Sequence, residues 1–227
     1  MGRFLFLIIV GIGGAGILVS LGVWQSQRLT WKNDLIASIE QRIAATPASL
    51  PMDLDPVIDK YTPVVLIGQF QSGALRILAS RRQTGAVYRI VRPFALTDGR
   101  VVLVDTGWIP DEAEIPDLVA DEIRLIGNLH WPNEIDGFTP EPDVKANIWF
   151  ARDVPAMAEA LGTLPILAVL RDAPQTDIGV TPWPIDTGDI PNDHLQYAFT
   201  WFSLAAIWAG MSAFFLLRHN RNPNVTG

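Results

Sequence analysis

One histidine stands at the mouth of an apolar run, and its neighbours repeat at helical spacing. His194, Tyr197, Trp201, Ala205 and Trp208 follow one another at steps of three, four, four and three, which sets them near one face of a helix. An imidazole above a column of aromatic rings suits axial ligation of haem iron, with the flat macrocycle against the rings. A second cluster, Trp24, Gln25, Arg28, Trp31 and Lys32, closes another apolar run. Arg28 there has the charge and reach to meet a propionate. The plainer reading of both clusters is an interfacial belt. Trp and Tyr then sit at headgroup level, His194 caps its helix, and Arg28 and Lys32 snorkel to lipid phosphates, with Arg28 stacked on Trp24 or Trp31. The residues alone leave both readings open.

The elements that must position these clusters are two long apolar runs. Phe4 to Val23 and Ala198 to Leu217 are each 20 residues without a charge. At 1.5 Å per residue such a helix crosses a hydrocarbon core of about 30 Å. The first run exceeds the apolar stretch of a cleaved signal peptide, so it reads as a retained anchor. Basic residues set the orientation. Arg3 precedes the first run, and Arg218, His219 and Arg221 follow the second, whereas Asp186, Asp189 and Asp193 precede the second. All 24 acidic residues but only 14 of the 17 basic ones lie between the runs, leaving that segment at −10. Both termini are expected in the cytoplasm. The expected divisions are a first span over 1–24, an extracytoplasmic domain over 25–193, a second span over 194–217 and a tail over 218–227. No arginine-rich, acid-poor transit segment leads the chain, which points to a bacterial inner membrane and a periplasmic main domain.

Trp24, Arg28, Trp31 and Leu35 carry the first helix past the lipid to about Ile43. Thr46 to Pro56 reads as a linker. Short runs rich in Val, Ile and aromatics then predict strands over Pro63–Phe70, Leu75–Ser80, Val87–Leu96, Arg100–Thr106, Ile123–Trp131, Asn147–Arg152 and Pro165–Asp172. Asp98-Gly99 marks a hairpin. Pro155 to Gly162 predicts a short helix. Asp111–Asp117 and Pro174–Pro191 read as loops. No 10–15-residue helix alternates with the strands, so the expected fold class is an α+β membrane protein: two transmembrane helices flanking an antiparallel sheet or partly closed barrel.

Composition removes several function classes. The chain has no cysteine, which excludes disulfides, thiolate metal sites, iron–sulfur ligation and covalent haem attachment. A net charge of −7 argues against nucleic acid. Nucleophile-elbow, P-loop, dinucleotide-binding and zinc-protease motifs are absent from the sequence. His130 ends a predicted strand beside Trp131-Pro132 and reads as structural. Gly11-x-x-x-Ala15 and Ala206-x-x-x-Gly210 are small-residue patterns that permit close helix contact, with each other or with helices of a client.

Three segments resemble the surfeit locus protein 1 family, the assembly factors of cytochrome c oxidase. Leu21-Gly22-Val23-Trp24-Gln25-Ser26-Gln27-Arg28-Leu29-Thr30-Trp31-Lys32 is similar to the family's L-G-x-W-Q-x-x-R-x-x-W-K. Asn192-Asp193-His194-Leu195-Gln196-Tyr197-Ala198-Phe199-Thr200-Trp201-Phe202 is similar to N-x-H-L-x-Y-A-x-T-W-F. Val104-Asp105-Thr106-Gly107-Trp108-Ile109-Pro110 is similar to a central strand and turn, with Thr106 where the family usually has arginine. The resemblance implies a non-enzymatic role: binding haem A received from its synthase and assisting its insertion into oxidase subunit I. It puts His194 at the proposed iron ligand. Tyr197 and Trp201 are expected to flank the ring, with Trp24 and Arg28 completing the site from the other helix. Within the same resemblance, the rival expectation is a cofactor-free membrane scaffold that steadies subunit I. An envelope hydrolase is the reading from another class, and no motif supports it.

Overall fold

A computed structural model describes residues 2–82, 84–117, 121–172, 177–188 and 190–221. The side chains of Arg3, His219 and Arg221, and all of Asp189, which enter the charge argument, lie outside the described residues. The chain divides into two units, residues 1–38 with 187–227, and residues 39–186.

The first unit holds most of one helix and the whole of another. Helix α1 runs unbroken over Gly2–Ile43, as the spacing from Trp24 to Leu35 predicts. It ends where Thr46-Pro47 follows, because the residue before proline disfavours helical backbone. Helix α3 covers His194–Arg221. Both are long and apolar enough to cross a membrane. They meet through glycines on α1. A Cβ at Gly14 would lie 2.4 Å from Trp208 Nε1, and one at Gly22 would lie 2.7 Å from the Phe202 ring. The Trp208 indole N–H donates to the Gly11 carbonyl at 3.1 Å. Gly11 therefore does face the other helix, where it meets Ser212. The Ala206/Gly210 pattern does not. Both residues are exposed, and α3 instead turns the buried Ala198 and Ala205 inward.

The second unit is a closed barrel with additions. Strands β2 (Pro63–Phe70), β4 (Gly85–Leu96), β5 (Val101–Pro110), β6 (Ile123–Leu129) and β8 (Leu167–Leu170) form a ring in the order β2-β6-β8-β5-β4, closed by β4 against β2. Strand β3 (Leu75–Arg81) extends the sheet beyond β4 and carries β7 (Ile148–Trp149). The two-residue β1 (Ala48–Ser49) adds to β2 from within the segment read as a linker. The expected β-rich domain between two helices is thus present, and its barrel is fully closed. It is not purely antiparallel: β8 slots between β5 and β6, parallel to β5, and β1–β2 and β3–β7 are also parallel. The short helix α2 (Val154–Leu161) starts on an Asp153 cap and stops at Gly162, whose φ of 66° suits the left-handed C-cap.

Alternation along the strands builds two apolar clusters. Val64, Leu66, Phe94, Val102, Val104, Leu125 and Leu170 fill one. Leu103, Leu167 and Val91 face the other way, onto Met157 and Val154 of α2. Gly68 is the closure point, since it pairs with Ile123 of β6 and with Leu96 of β4. A Cβ there would lie 1.9 Å from the Ala95 carbonyl oxygen, which is backbone and cannot swing aside. Gly68→Ala is expected to lower stability by about 1–3 kcal/mol through overpacking, read as a lower urea midpoint at unchanged slope in the detergent-solubilised chain.

Candidate functional site

His194 opens α3 directly after Pro191-Asn192-Asp193, and the first backbone bond of the helix runs from Tyr197 N–H to the Asp193 carbonyl. Its Nδ1 lies 2.7 Å from Oε1 of Gln25 on α1. Gln25 is buried, and it belongs to the α1 face that also carries Gly22, one turn earlier. Asn192 Nδ2 donates to Asn33 Oδ1 at 2.8 Å, which ties the entry of α3 to a later turn of α1. The Nε2 side of the His194 ring has no protein partner among the described residues.

The remaining predicted residues divide. Trp201 is partly buried, one turn below Tyr197, which is 55% exposed. Trp24 is 51% exposed and points off the α1–α3 contact. Arg28 lies one turn along α1 from Gln25, and its guanidinium rests 4.5 Å over the Trp31 ring. It has no carboxylate partner among the described residues. Stacking on an aromatic face occupies the guanidinium plane and leaves its edge donors free for an anion. The structure therefore puts Gln25 against His194 and leaves Arg28, Tyr197 and Trp24 presented outward. Gln25 was not among the residues that sequence spacing singled out as ligand-binding. Its signals were its place in the Trp24–Lys32 cluster, its match to the glutamine of the first family segment, and polarity on the helix face that carries Gly22.

The barrel unit holds a second polar cluster. Asp105, fully buried, accepts from Arg89 Nε at 2.8 Å and from Arg152 at 3.3 Å. Arg152 also grips Glu134 with two nitrogens of its guanidinium and donates its backbone N–H to the same carboxylate. Arg89 donates to the Trp183 carbonyl and lies 4.5 Å over the Trp183 ring. Burial opposes ionisation of Glu134, but the Arg152 bonds and charge outweigh it and hold the carboxyl below its usual range. Burial likewise opposes the charge on Arg152, and Glu134 and Asp105 reverse that, raising its pKa. Two cations face two anions, so the cluster is an internally balanced brace rather than an open anion site. His130 lies beside it, tilted against Tyr61 at 5.6 Å. Burial, then the charge of Arg152, then that of Lys60 push its pKa down from 6.5 to about 3. The imidazole is neutral, in keeping with a structural role.

The central motif also finds its explanation here. Strand β5 bulges at Thr106, which is skipped between the pairs Val91–Asp105 and Ile90–Gly107. The Thr106 hydroxyl, buried, donates to the Ile90 carbonyl at 2.9 Å. Gly107 sits at φ 127°, and a Cβ there would lie 2.1 Å from the Thr181 carbonyl oxygen. Its role is close backbone approach inside a strand.

Known proteins are similar to this chain over most of its length. Residues 13–206, which contain all three motif segments, match the family model described as SURF1 family. Surfeit locus protein 1 of Xenopus tropicalis is 32% identical over 214 residues, covering 82% of this chain and 68% of its own length. A SURF1-like protein of Monosiga brevicollis is 30% identical over 218 residues, covering 87% and 83%. A SURF1-like protein of the bacterium Rickettsia bellii is 31% identical over 203 residues, covering 84% and 82%.

The polar cluster makes two checkable statements. Asp105→Asn removes the charge that faces the buried Arg89 and the half-buried Arg152 and is expected to cost about 3–5 kcal/mol in urea unfolding. Unfolded, His130 takes up a proton as the pH falls below 6.5, whereas folded it stays neutral down to about 3. The unfolded state binds more protons over that window, so stability is complete above it and falls as the pH drops through it. His130→Asn is expected to flatten the fall between pH 7 and 5, by at most roughly 1.4 kcal/mol per pH unit below 6.5.

Proposed function

Since this chain belongs to the SURF1 family, we propose that it is an assembly factor for haem-copper cytochrome c oxidase which holds haem A on His194 and assists its insertion into subunit I. Family membership supplies the assembly role. The observation that supports the cofactor is the His194 ring, fixed through Nδ1 by Gln25 with Nε2 left without a protein partner among the described residues. Haem A, when bound, supplies an iron that takes an axial nitrogen and two propionates that need donors. The residues fit that group. Neutral imidazole is a good iron donor, Tyr197, Trp201 and Trp24 offer ring faces, and the free edge of Arg28 suits a propionate. A single nitrogen donor from His194 would hold such a cargo weakly enough to pass it on.

The location follows the charge pattern. The proposed site is an inner membrane crossed by residues 1–24 and 194–217, with both termini and residues 218–227 cytoplasmic and residues 25–193 in the periplasm. Haem A synthase is the proposed donor, and subunit I is the client that the barrel unit docks. The chain then works by holding and releasing, without catalysis of its own.

Protein purified from cells that make haem A is expected to carry haem with a histidine-ligated absorption spectrum. His194→Ala should lose most of that occupancy, and Arg28→Leu should weaken it. A mutant with wild-type spectrum and haem content would remove the ligand assignment. Wild-type protein that co-purifies with subunit I but holds no haem would favour a cofactor-free scaffold.

A further inference from the structure

The His194 ring has two nitrogens, and the structure ties up one of them. Gln25 Oε1 stands 2.7 Å from Nδ1. A carboxamide oxygen only accepts, so this bond requires a proton on Nδ1, and in the neutral ring that leaves the lone pair on Nε2. Gln25 has little room to do otherwise. It is 8% exposed, in the face of α1 that packs against α3. One turn earlier, Gly22 lets the Phe202 ring press onto the α1 backbone, and Ala198, one turn into α3, is buried as well. The Asn33–Asn192 bond fixes the loop from which His194 emerges.

We propose that Gln25 is the positioning residue of the His194 site: it selects the Nδ1–H tautomer and so presents Nε2 as the sole donor nitrogen. This deepens the haem reading but does not need haem for its own proof. The choice of an amide has a chemical consequence. A carboxylate at the same place would pull on the Nδ1 proton and make Nε2 a stronger donor, holding a bound metal more tightly and favouring its oxidised form. An amide orients the ring without that added charge, which suits a ligand meant to be released.

The test uses the full chain in detergent, free of haem, with its histidine ring nitrogens labelled with nitrogen-15. The chain has three histidines, and His194→Ala identifies the His194 signals. Long-range proton–nitrogen correlation spectra at neutral or higher pH report which ring nitrogen is protonated. The wild type is expected to show His194 with Nδ1 protonated. Gln25→Leu, which keeps the bulk and removes the acceptor, should move it to the Nε2–H form or a mixture. Gln25→Glu should restore the Nδ1–H form. After loading with haem, Gln25→Glu should lower the haem reduction potential and slow haem loss relative to wild type. A wild-type ring with Nε2 protonated, or a Gln25→Leu spectrum unchanged at His194, overturns the proposal. Haem content of the wild type decides the functional reading separately, because the tautomer is read in its absence.

Discussion

Two apolar helices in lipid gain nothing from the hydrophobic effect when they touch, so their contact must come from close fit. That constraint governs the first unit. Gly11, Gly14 and Gly22 strip side chains from one face of α1, and Ser212, Trp208 and Phe202 of α3 fill the space. The Trp208 N–H reaches a backbone carbonyl of α1 only because nothing stands between. Once the backbones are this near, Gln25 and His194 meet directly. The polar pair is the end of a register that the glycines set along the whole contact.

The barrel unit obeys a different rule. Its sheet closes on itself, which leaves no open edge around the ring. Closure forces β2 and β4 together at Gly68. On the strand face that carries Leu103, Asp105 is buried against two guanidinium groups, and the more exposed Glu134 balances the second of them. Such a network adds little net stability over an apolar core, but it is unforgiving of losing one member. It specifies which segments come together, since Arg152, Glu134 and Trp183 lie on three separate stretches of chain and all converge on the Asp105–Arg89 pair.

Much of this is legible in the sequence, and the gaps have physical causes. The strands at Pro63–Phe70 and Ile123–Leu129 and the helix ending at Gly162 follow from alternation and capping, which are local signals. Parallel insertion of β8 between β5 and β6 is not local, and nothing in a four-residue strand announces its neighbours. The site divides the same way. His194 and Arg28 stand out by charge and position, whereas Gln25 matters because of what faces it across the helix pair, a fact that spacing on one helix does not carry. Ala206 and Gly210 show the same gap: small residues permit contact without saying with which partner, and here they do not meet α1.

The place of β8 has a bearing on how the protein is made. Leu167–Leu170 is the last strand to leave the ribosome, and it joins β5 to β6, both finished well before it. Until those four residues arrive, a half-built sheet shows two bare rims of amide and carbonyl groups. The first apolar helix is by then long since made, so this unsealed interval falls after that helix has left the ribosome. Any delay in the stretch between Leu129 and Leu167 lengthens the time during which a neighbouring nascent chain can pair with those rims.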